Sequence, residues 1–365
     1  MNPHPLFCPN LDCPSRGVQN AGNIRVHDSL RNRWRCTTCK KTFSGRQGTP
    51  FFGLKTAEAT VVLVLSLLGW GCPLQAIVAA FGFDERTVAC WQERAGEHCQ
   101  AVHAATVTAQ PMDLQQVQAD EIRVKMQKRL VVWMAMAICV PTRLWLAGVV
   151  SASRDKPLLR ALAAQVKACA CLEPLLLVTD GLNSYVDAWQ KAFRTPVYTG
   201  KRGHPTLLAW PAIVIGQMLK RYDKGRVIGI EQRWVQGSKD SLGRLLPEGF
   251  ILSTAYSERL NATFRARLCY LVRRGRSLAR KPQRLTRAMY LLGCLYNFCT
   301  PHQSLSQEGA RTPAMAAGLT GHVWSVGELL FYRIAPPPFI AKKRRGPKPK
   351  TRATETEGGR RLVTV

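Results

Sequence analysis

The sequence predicts an α/β protein in which a cysteine-paired module and a helical unit precede a main sheet. Three observations carry this. β-rich runs at Val117–Lys125, Leu130–Val140 and Leu144–Ser151 follow one another with short breaks, and a helical stretch and a fully apolar run, Pro174–Thr179, come next. Two close cysteine pairs stand within the first forty residues. Between these regions, apolar residues recur at helical spacing. A chain of 365 residues has room for two to three units of roughly 150 residues each.

Taken in chain order, residues 1–52 hold Cys8 and Cys13 in one pair and Cys36 and Cys39 in the other. Thiolates at that spacing can close a tetrahedral zinc site, with two knuckles joined by a hairpin, so a zinc ribbon is expected. The segment carries too little apolar material to bury four free thiols, and metal ligation is expected to supply most of its folding free energy. The first pair has four intervening residues where two are commoner, which widens one knuckle. The remaining nine cysteines, Cys139, Cys269 and Cys294 among them, sit singly or in apolar context and read as ordinary buried residues. Arg25, His27, Arg31, Arg33, Trp34 and Arg35, followed by Lys40, Lys41 and Arg46, interleave cations with an aromatic, as a surface touching a phosphate backbone does. Arg33, Arg35 and Lys40 are the expected DNA contacts, and His27 is expected at the surface.

Residues 53–109 read as helices. Thr56 to Gly69 is mostly apolar, and Ile77, Val78, Phe81, Val88 and Trp91 mark a periodic face. Gly82 can end one helix and Asp84 can cap the next, a helix-turn-helix pattern that places Glu85, Arg86 and Thr87 where DNA contacts are made. Gln110, Pro111 and Met112 then break the pattern.

The main unit, residues 113–335, begins with the three β-rich runs, which are close enough to pair antiparallel. A helix from Lys156 to Ala170 and the strand ending at Asp180 follow. In the RNase H-like arrangement that this order of strands and helix resembles, the first and fourth strands would be neighbours, so Asp120, on the first, and Asp180, at the end of the fourth, are expected to converge. Glu121 is expected on the opposite face of its strand by alternation. Carboxylates of this kind suit Mg²⁺ or Mn²⁺, and two such ions about 3.5–4 Å apart serve in-line displacement at phosphorus.

The charge balance points to the partner. With 52 Lys and Arg against 23 Asp and Glu, the net charge is +29, spread along the chain, and phosphate binding is its simplest account. A ribosome-associated or merely soluble basic protein is the bland alternative. The longest apolar run, Ala59–Trp70, is short of the roughly 20 residues a membrane span needs. The N-terminus lacks a basic region followed by an apolar core, so a cytoplasmic, nucleoid-associated location is expected.

The order of three strands, helix and strand is that of RNase H-like folds. Over nearly its whole length the chain resembles bacterial insertion-sequence transposases of the DDE class, down to AsnPheCysThrProHisGlnSerLeu at 297–305 and ArgThrProAlaMetAlaAlaGlyLeu at 311–319. The resemblance implies metal ligation by Asp120, Asp180 and Glu258. The pattern Glu258, Asn261, Arg265 matches that family's third-acid helix, with Asn261 and Arg265 supporting the site or positioning DNA. It further implies recognition of element ends, DNA cleavage and strand transfer, and at least a dimer when two ends are paired. The interval from Asp180 to Glu258 spans 78 positions, so an insertion is expected over about 199–250, and Glu231 and Glu248 are rival third acids. The basic run that includes Arg259, Arg265, Arg273 and Arg274 reads as a DNA groove. Trp189, Tyr198 and Trp234 are read as core residues or base-stacking groups, and His302 as a structural or DNA contact. Residues 336–365 read as a disordered basic tail. A DNA-binding regulator without catalysis, or an RNase H-like nuclease without joining activity, are the alternative functions.

Overall fold

The computed structural model describes residues 6–198, 200, 203–223, 226–237, 252–272, 278–307 and 309–336. The expected tail past 336, the rival Glu248, and Arg273 and Arg274 lie outside the described residues.

The N-terminal module is a three-stranded antiparallel sheet of β1 (Ile24–Asp28), β2 (Arg33–Cys36) and β3 (Thr42–Ser44), in that order. Its interior is made of Cys8, Cys13 and Cys36 with Ile24 and Cys39 against them, a core in which thiols replace hydrocarbon.

Three helices come next. In α1 (Glu58–Gly69) the buried residues Val61, Val64, Leu65 and Leu68 repeat at i, i+3, i+4 and i+7. The short α2 (Leu74–Phe81) ends at Gly82 in the left-handed conformation with φ 68°, and the carboxylate of Asp84 accepts the Arg86 amide at 2.8 Å to start α3 (Glu85–His103). Helix, turn and helix thus fall where the glycine and aspartate placed them.

This helical unit is not detached from the rest of the chain. Phe51, α1, α3 and the C-terminal helices contribute to one continuous hydrophobic core with the main sheet. Gly96 lets α3 approach α7 (Pro282–Cys294) so closely that a Cβ there would stand 2.3 Å from the Arg287 carbonyl oxygen. Arg284–Glu93 (2.5 Å) and Arg287–Glu97 (3.0 Å) flank that crossing. The break at Gln110–Met112 is therefore a change of secondary structure within shared packing. Met112 itself bridges to Ala170.

The main sheet has six strands: β4 (Gln116–Lys125), β5 (Val131–Cys139), β6 (Trp145–Ser151), β7 (Leu175–Asp180), β10 (Ile213–Asp223) and β11 (Arg226–Gln236), ordered β11-β10-β7-β4-β5-β6. β4, β5 and β6 pair antiparallel, whereas β7 runs parallel to both β4 and β10, and β11 returns antiparallel on β10. β8 (Arg194–Val197) and β9 (Thr206–Ala209) form a separate ribbon. Part of the segment expected as an insertion is thus integral to the sheet: β10 pairs with β7 from Leu175 to Asp180.

α4 (Lys156–Cys169) packs on β5, β6 and α5 (Asn183–Ala192), α6 (Ala255–Arg267) on β4 and β5, and α7 on β6 and α3. The short α8 (Pro313–Ala316) and α9 (Val326–Phe331) close the C-terminal end, with Phe331 against Phe51 at 4.5 Å between ring centroids. Asn297 clasps β6, accepting from the Trp145 amide and donating to its carbonyl, both at 2.9 Å.

Candidate metal centres

β4 and β7 are paired only from Gln116–Leu176 to Gln118–Val178. Past those pairs the parallel strands part, and Asp120 and Asp180 each stand two positions beyond the last pair, facing the split. The carboxyl ends of neighbouring parallel strands are where open α/β sheets place ligands. A cavity of about 440 Å³ opens there, lined by Asp120, Asp180 and Glu258 together with Arg154, Lys220 and Thr254. The three acids expected from distant stretches share one cavity.

Each is held differently. The Asp120 carboxylate accepts from the Glu121 amide at 2.7 Å and from the Asn261 side-chain amide at 2.8 Å. Burial pushes its pKa up; the Glu121 amide opposes this, and the charges of Asp180 and Glu258 add to the rise. Asp180 accepts from the Leu182 amide at 3.1 Å, and the buried Gln217 amide locks the turn behind it by donating to the Asp180 and Leu182 carbonyls. Glu258, in the first turn of α6, meets Lys220 at 3.0 Å and the Thr254 hydroxyl at 3.3 Å.

The start of α6 is fixed by a residue that sequence reading passed over. Gln118, buried on β4 two residues before Asp120, accepts from the Tyr256 and Ser257 amides at 3.0 Å each and donates to the Ser253 carbonyl at 2.6 Å. These amides are among the orphan donors of a helix N-terminus. One side chain thereby ties the helix of the third acid to the strand of the first. A glutamine in an apolar strand gives no sign of this in the sequence.

The expectation for Glu121 needs correcting. Alternation places it opposite Asp120, yet carboxylate oxygens of Asp120, Glu121 and Asp180 all lie within 4.8 Å of one another. β4 pairs regularly with β5 through both residues, so alternation holds for the backbone, and it is the length of the glutamate side chain that brings its carboxylate to the other two. Buried Glu121 accepts from the Tyr185 hydroxyl at 2.7 Å and pairs with Arg154, which also reaches Asp180 at 3.3 Å. Burial pushes the Glu121 carboxyl up, against the Tyr185 hydrogen bond.

The donor set is therefore all oxygen, concave and partly desolvated, and it fits a hard divalent cation such as Mg²⁺ or Mn²⁺. Asp120, Glu121 and Asp180 form the tightest group, with Glu258 on the cavity's far wall. Arg154 and Lys220 supply positive charge to the acids, and neither stood out in the sequence. Of the rivals, Glu231 is engaged by Arg221 at 2.6 Å on the β10–β11 hairpin.

The four N-terminal thiols form a second candidate centre. The sulfurs of Cys8 and Cys39 lie 3.6 Å apart and those of Cys13 and Cys36 3.8 Å apart, with all four in one cluster. A tetrahedral ion with metal–sulfur bonds of about 2.3 Å sets its sulfurs roughly 3.8 Å apart, so the arrangement can hold such an ion. Burial pushes the Cys36 thiol up, but the Cys39 and Thr38 amides outweigh it and bring the thiol down to about 7.

Around this centre Arg25, His27, Arg33, Arg35 and Lys40 are exposed. Arg25 and Arg35 are cross-strand neighbours, giving the sheet a basic face. Arg86 is exposed and Thr87 half-buried at the start of α3. Asn261 reaches Asp120, whereas Arg265 lies farther along α6 and does not line the cavity. Trp189 is a core residue, while Tyr198 and Trp234 are exposed. No helix among the described residues is long and apolar enough to cross a membrane. Neither protein-family models nor curated protein sequences give a match to this chain.

Proposed function

We propose that the chain is a transposase of the DDE class with an RNase H-like core, which binds the ends of an insertion sequence through its N-terminal modules and cleaves and joins DNA. The observation that carries this reading is the meeting of Asp120, Asp180 and Glu258 in one cavity of a chain with net charge +29. The strand order agrees with it, since three antiparallel strands are followed by parallel strands on the side of the first.

Asp120, Asp180 and Glu258 would hold Mg²⁺ or Mn²⁺, which supplies activation of the attacking oxygen and charge neutralisation at the leaving one. Asn261 keeps the Asp120 carboxylate turned into the cavity, and Gln118 keeps α6 at its distance from β4. Arg154 and Lys220 border the cavity and suit phosphate oxygens of a bound strand. The cysteine cluster would hold zinc, presenting Arg33, Arg35 and Lys40 to the duplex, with Arg86 and Thr87 at the start of α3. Pairing two ends requires at least two copies of the chain.

The test is incubation of the full chain with Mg²⁺ and DNA carrying the inverted repeats that flank its reading frame. Nicked ends and strand-transfer products are expected, and both are absent for Asp120→Asn. Cleavage without joined product would instead make the chain a nuclease, and tight binding with no cleavage would make it a regulator.

A further inference from the structure

α6 separates two cavities. Thr254 and Glu258 face the acids, whereas Tyr256, Arg259, Leu260 and Thr263 line a second cavity of about 410 Å³. At 100° per residue these sets point to opposite sides of the helix. The second cavity is completed by Arg143 from the β5–β6 turn and by Tyr296, His302 and Ser304 from the C-terminal segment, and among the described residues no carboxylate lines it.

Its charges have no protein counter-ion among the described residues. Among the described residues, no carboxylate pairs with Arg143 or Arg259, and nearby Arg267 is bound only to the Thr300 hydroxyl and to the Trp70 ring. The Arg143 guanidinium lies over the Tyr256 ring at 3.9 Å, with a hydrogen bond to the Tyr256 hydroxyl at 3.0 Å and another to the Val140 carbonyl, which fixes its position. His302 packs edge-on against Tyr296 at 4.5 Å, and its Nε2 is buried without a hydrogen-bond partner. Burial, and then the nearby Arg267, Arg259 and Arg143, lower its pKa to about 4, so at neutral pH it is an uncharged donor or acceptor. Cations gathered this closely, beside an orphaned buried polar atom, call for an anion. Planar guanidinium groups favour phosphate.

We infer that this cavity binds a phosphate of a nucleic-acid strand, with Arg143, Arg259 and His302 as its ligands, on the flank of α6 opposite the acids. The inference rests on the reading of the chain as a DNA-processing enzyme and adds a second grip on its substrate. A helix with its side chains is about 10 Å thick. The two cavities are therefore about three steps of a stacked strand apart, at 3.4 Å per step. One strand crossing the N-terminal end of α6 would engage both.

The test is anisotropy of a fluorescein-labelled single-stranded oligonucleotide with the full chain, without added divalent ion, over a range of salt. Arg259 is exposed, so Arg259→Gln should melt as the wild type does. It is expected to bind roughly ten-fold more weakly, with the log–log salt slope reduced by about 0.7, and Arg259→Lys should restore most of the slope. His302→Gln, which keeps an uncharged polar group, should weaken binding less and leave the slope alone. Unchanged affinity and slope in Arg259→Gln overturn the inference. So does calorimetry in which that variant loses binding of inorganic phosphate while keeping full affinity for the oligonucleotide. Absence of Mg²⁺-dependent cleavage by the wild type, with this oligonucleotide binding intact and weakened by Arg259→Gln, counts against the transposase reading and leaves the phosphate site standing.

Discussion

The cysteine module and the acid cavity both gather like groups at a point, but they are supported in opposite ways. In the module the gathered thiols are themselves the core, with only Ile24 beside them. In the cavity the carboxylates ride on strands and a helix already packed by a large apolar core, to which Ala119, Ile122, Leu177, Leu260 and Phe264 belong. The first centre should thus depend on its ion for its shape, while the second should keep its shape without one. A structural zinc contributes on the order of 10–16 kcal/mol to a module of this kind. A cation at the acids would, in the proposed reading, contribute chemistry instead.

The contrast breaks most sharply under Cys36→Ser or a strong chelator. Bound zinc should be lost, amide protection should vanish over residues 6–44, and DNA affinity should fall about 100-fold, while the main unit melts nearly as before. Hydrogen exchange with mass spectrometry reads all segments at once, and retained protection in the module would remove the distinction. Asp120→Asn should show the reverse. Cleavage should drop roughly 10³-fold or more, whereas the melting temperature should rise, because burial opposes charge at that position. A lower melting temperature would mean that Asp120 helps hold the fold.

Gln118→Ala lies between these extremes. Freeing the first amides of α6 should cost about 1–3 kcal/mol in denaturant unfolding. Activity should fall about 10–100-fold, as for groups that orient metal ligands. Full activity in that variant would show that Glu258 is placed by other contacts.

The remaining effect is on pH, and it leaves activity at neutral pH untouched. His103 is buried between Trp145 and Tyr290, its Nε2 donating to the Leu146 carbonyl at 2.9 Å, and burial lowers its pKa from 6.5 to about 4. Its contribution is therefore complete above pH 6.5 and is lost as pH falls through about 4, amounting to roughly 3 kcal/mol. Asp120 and Glu121 have raised values and the opposite sign: their contribution is present at low pH and is lost as pH rises through those values. In His103→Gln the acid limb of the stability profile should flatten, and an unchanged limb would assign acid sensitivity elsewhere.

Legibility in the sequence divides along the same line. Short-range signals sufficed for the cysteine pairs, for Gly82 and Asp84 at the helix junction, and for the β4–β7 order, because spacing and capping are local. The convergence of Asp120 and Asp180 was expected from the resemblance to RNase H-like folds, which makes the first and fourth strands neighbours, and not from any local signal. Glu121 was misjudged because alternation fixes the face a Cβ leaves from but not how far a side chain reaches, and the Glu121 carboxylate comes within 4.8 Å of those of Asp120 and Asp180. Arg154, Lys220 and Gln118 carried no sequence signal, since their roles depend on neighbours distant in the chain. Within the stretch expected as an insertion over about 199–250, β10 opens with apolar IleValIle and pairs with β7, a partnership between distant segments that no local signal announces.

The Gln118 clamp also bears on how such a chain can change over generations. Because one amide side chain indexes α6 directly to β4, the start of that helix is set by the strand of Asp120 as well as by the backbone that runs from Asp180 to Ser253. Parts of that route away from β10, whose Lys220 meets Glu258, are then free to lengthen or shorten so long as the glutamine stays.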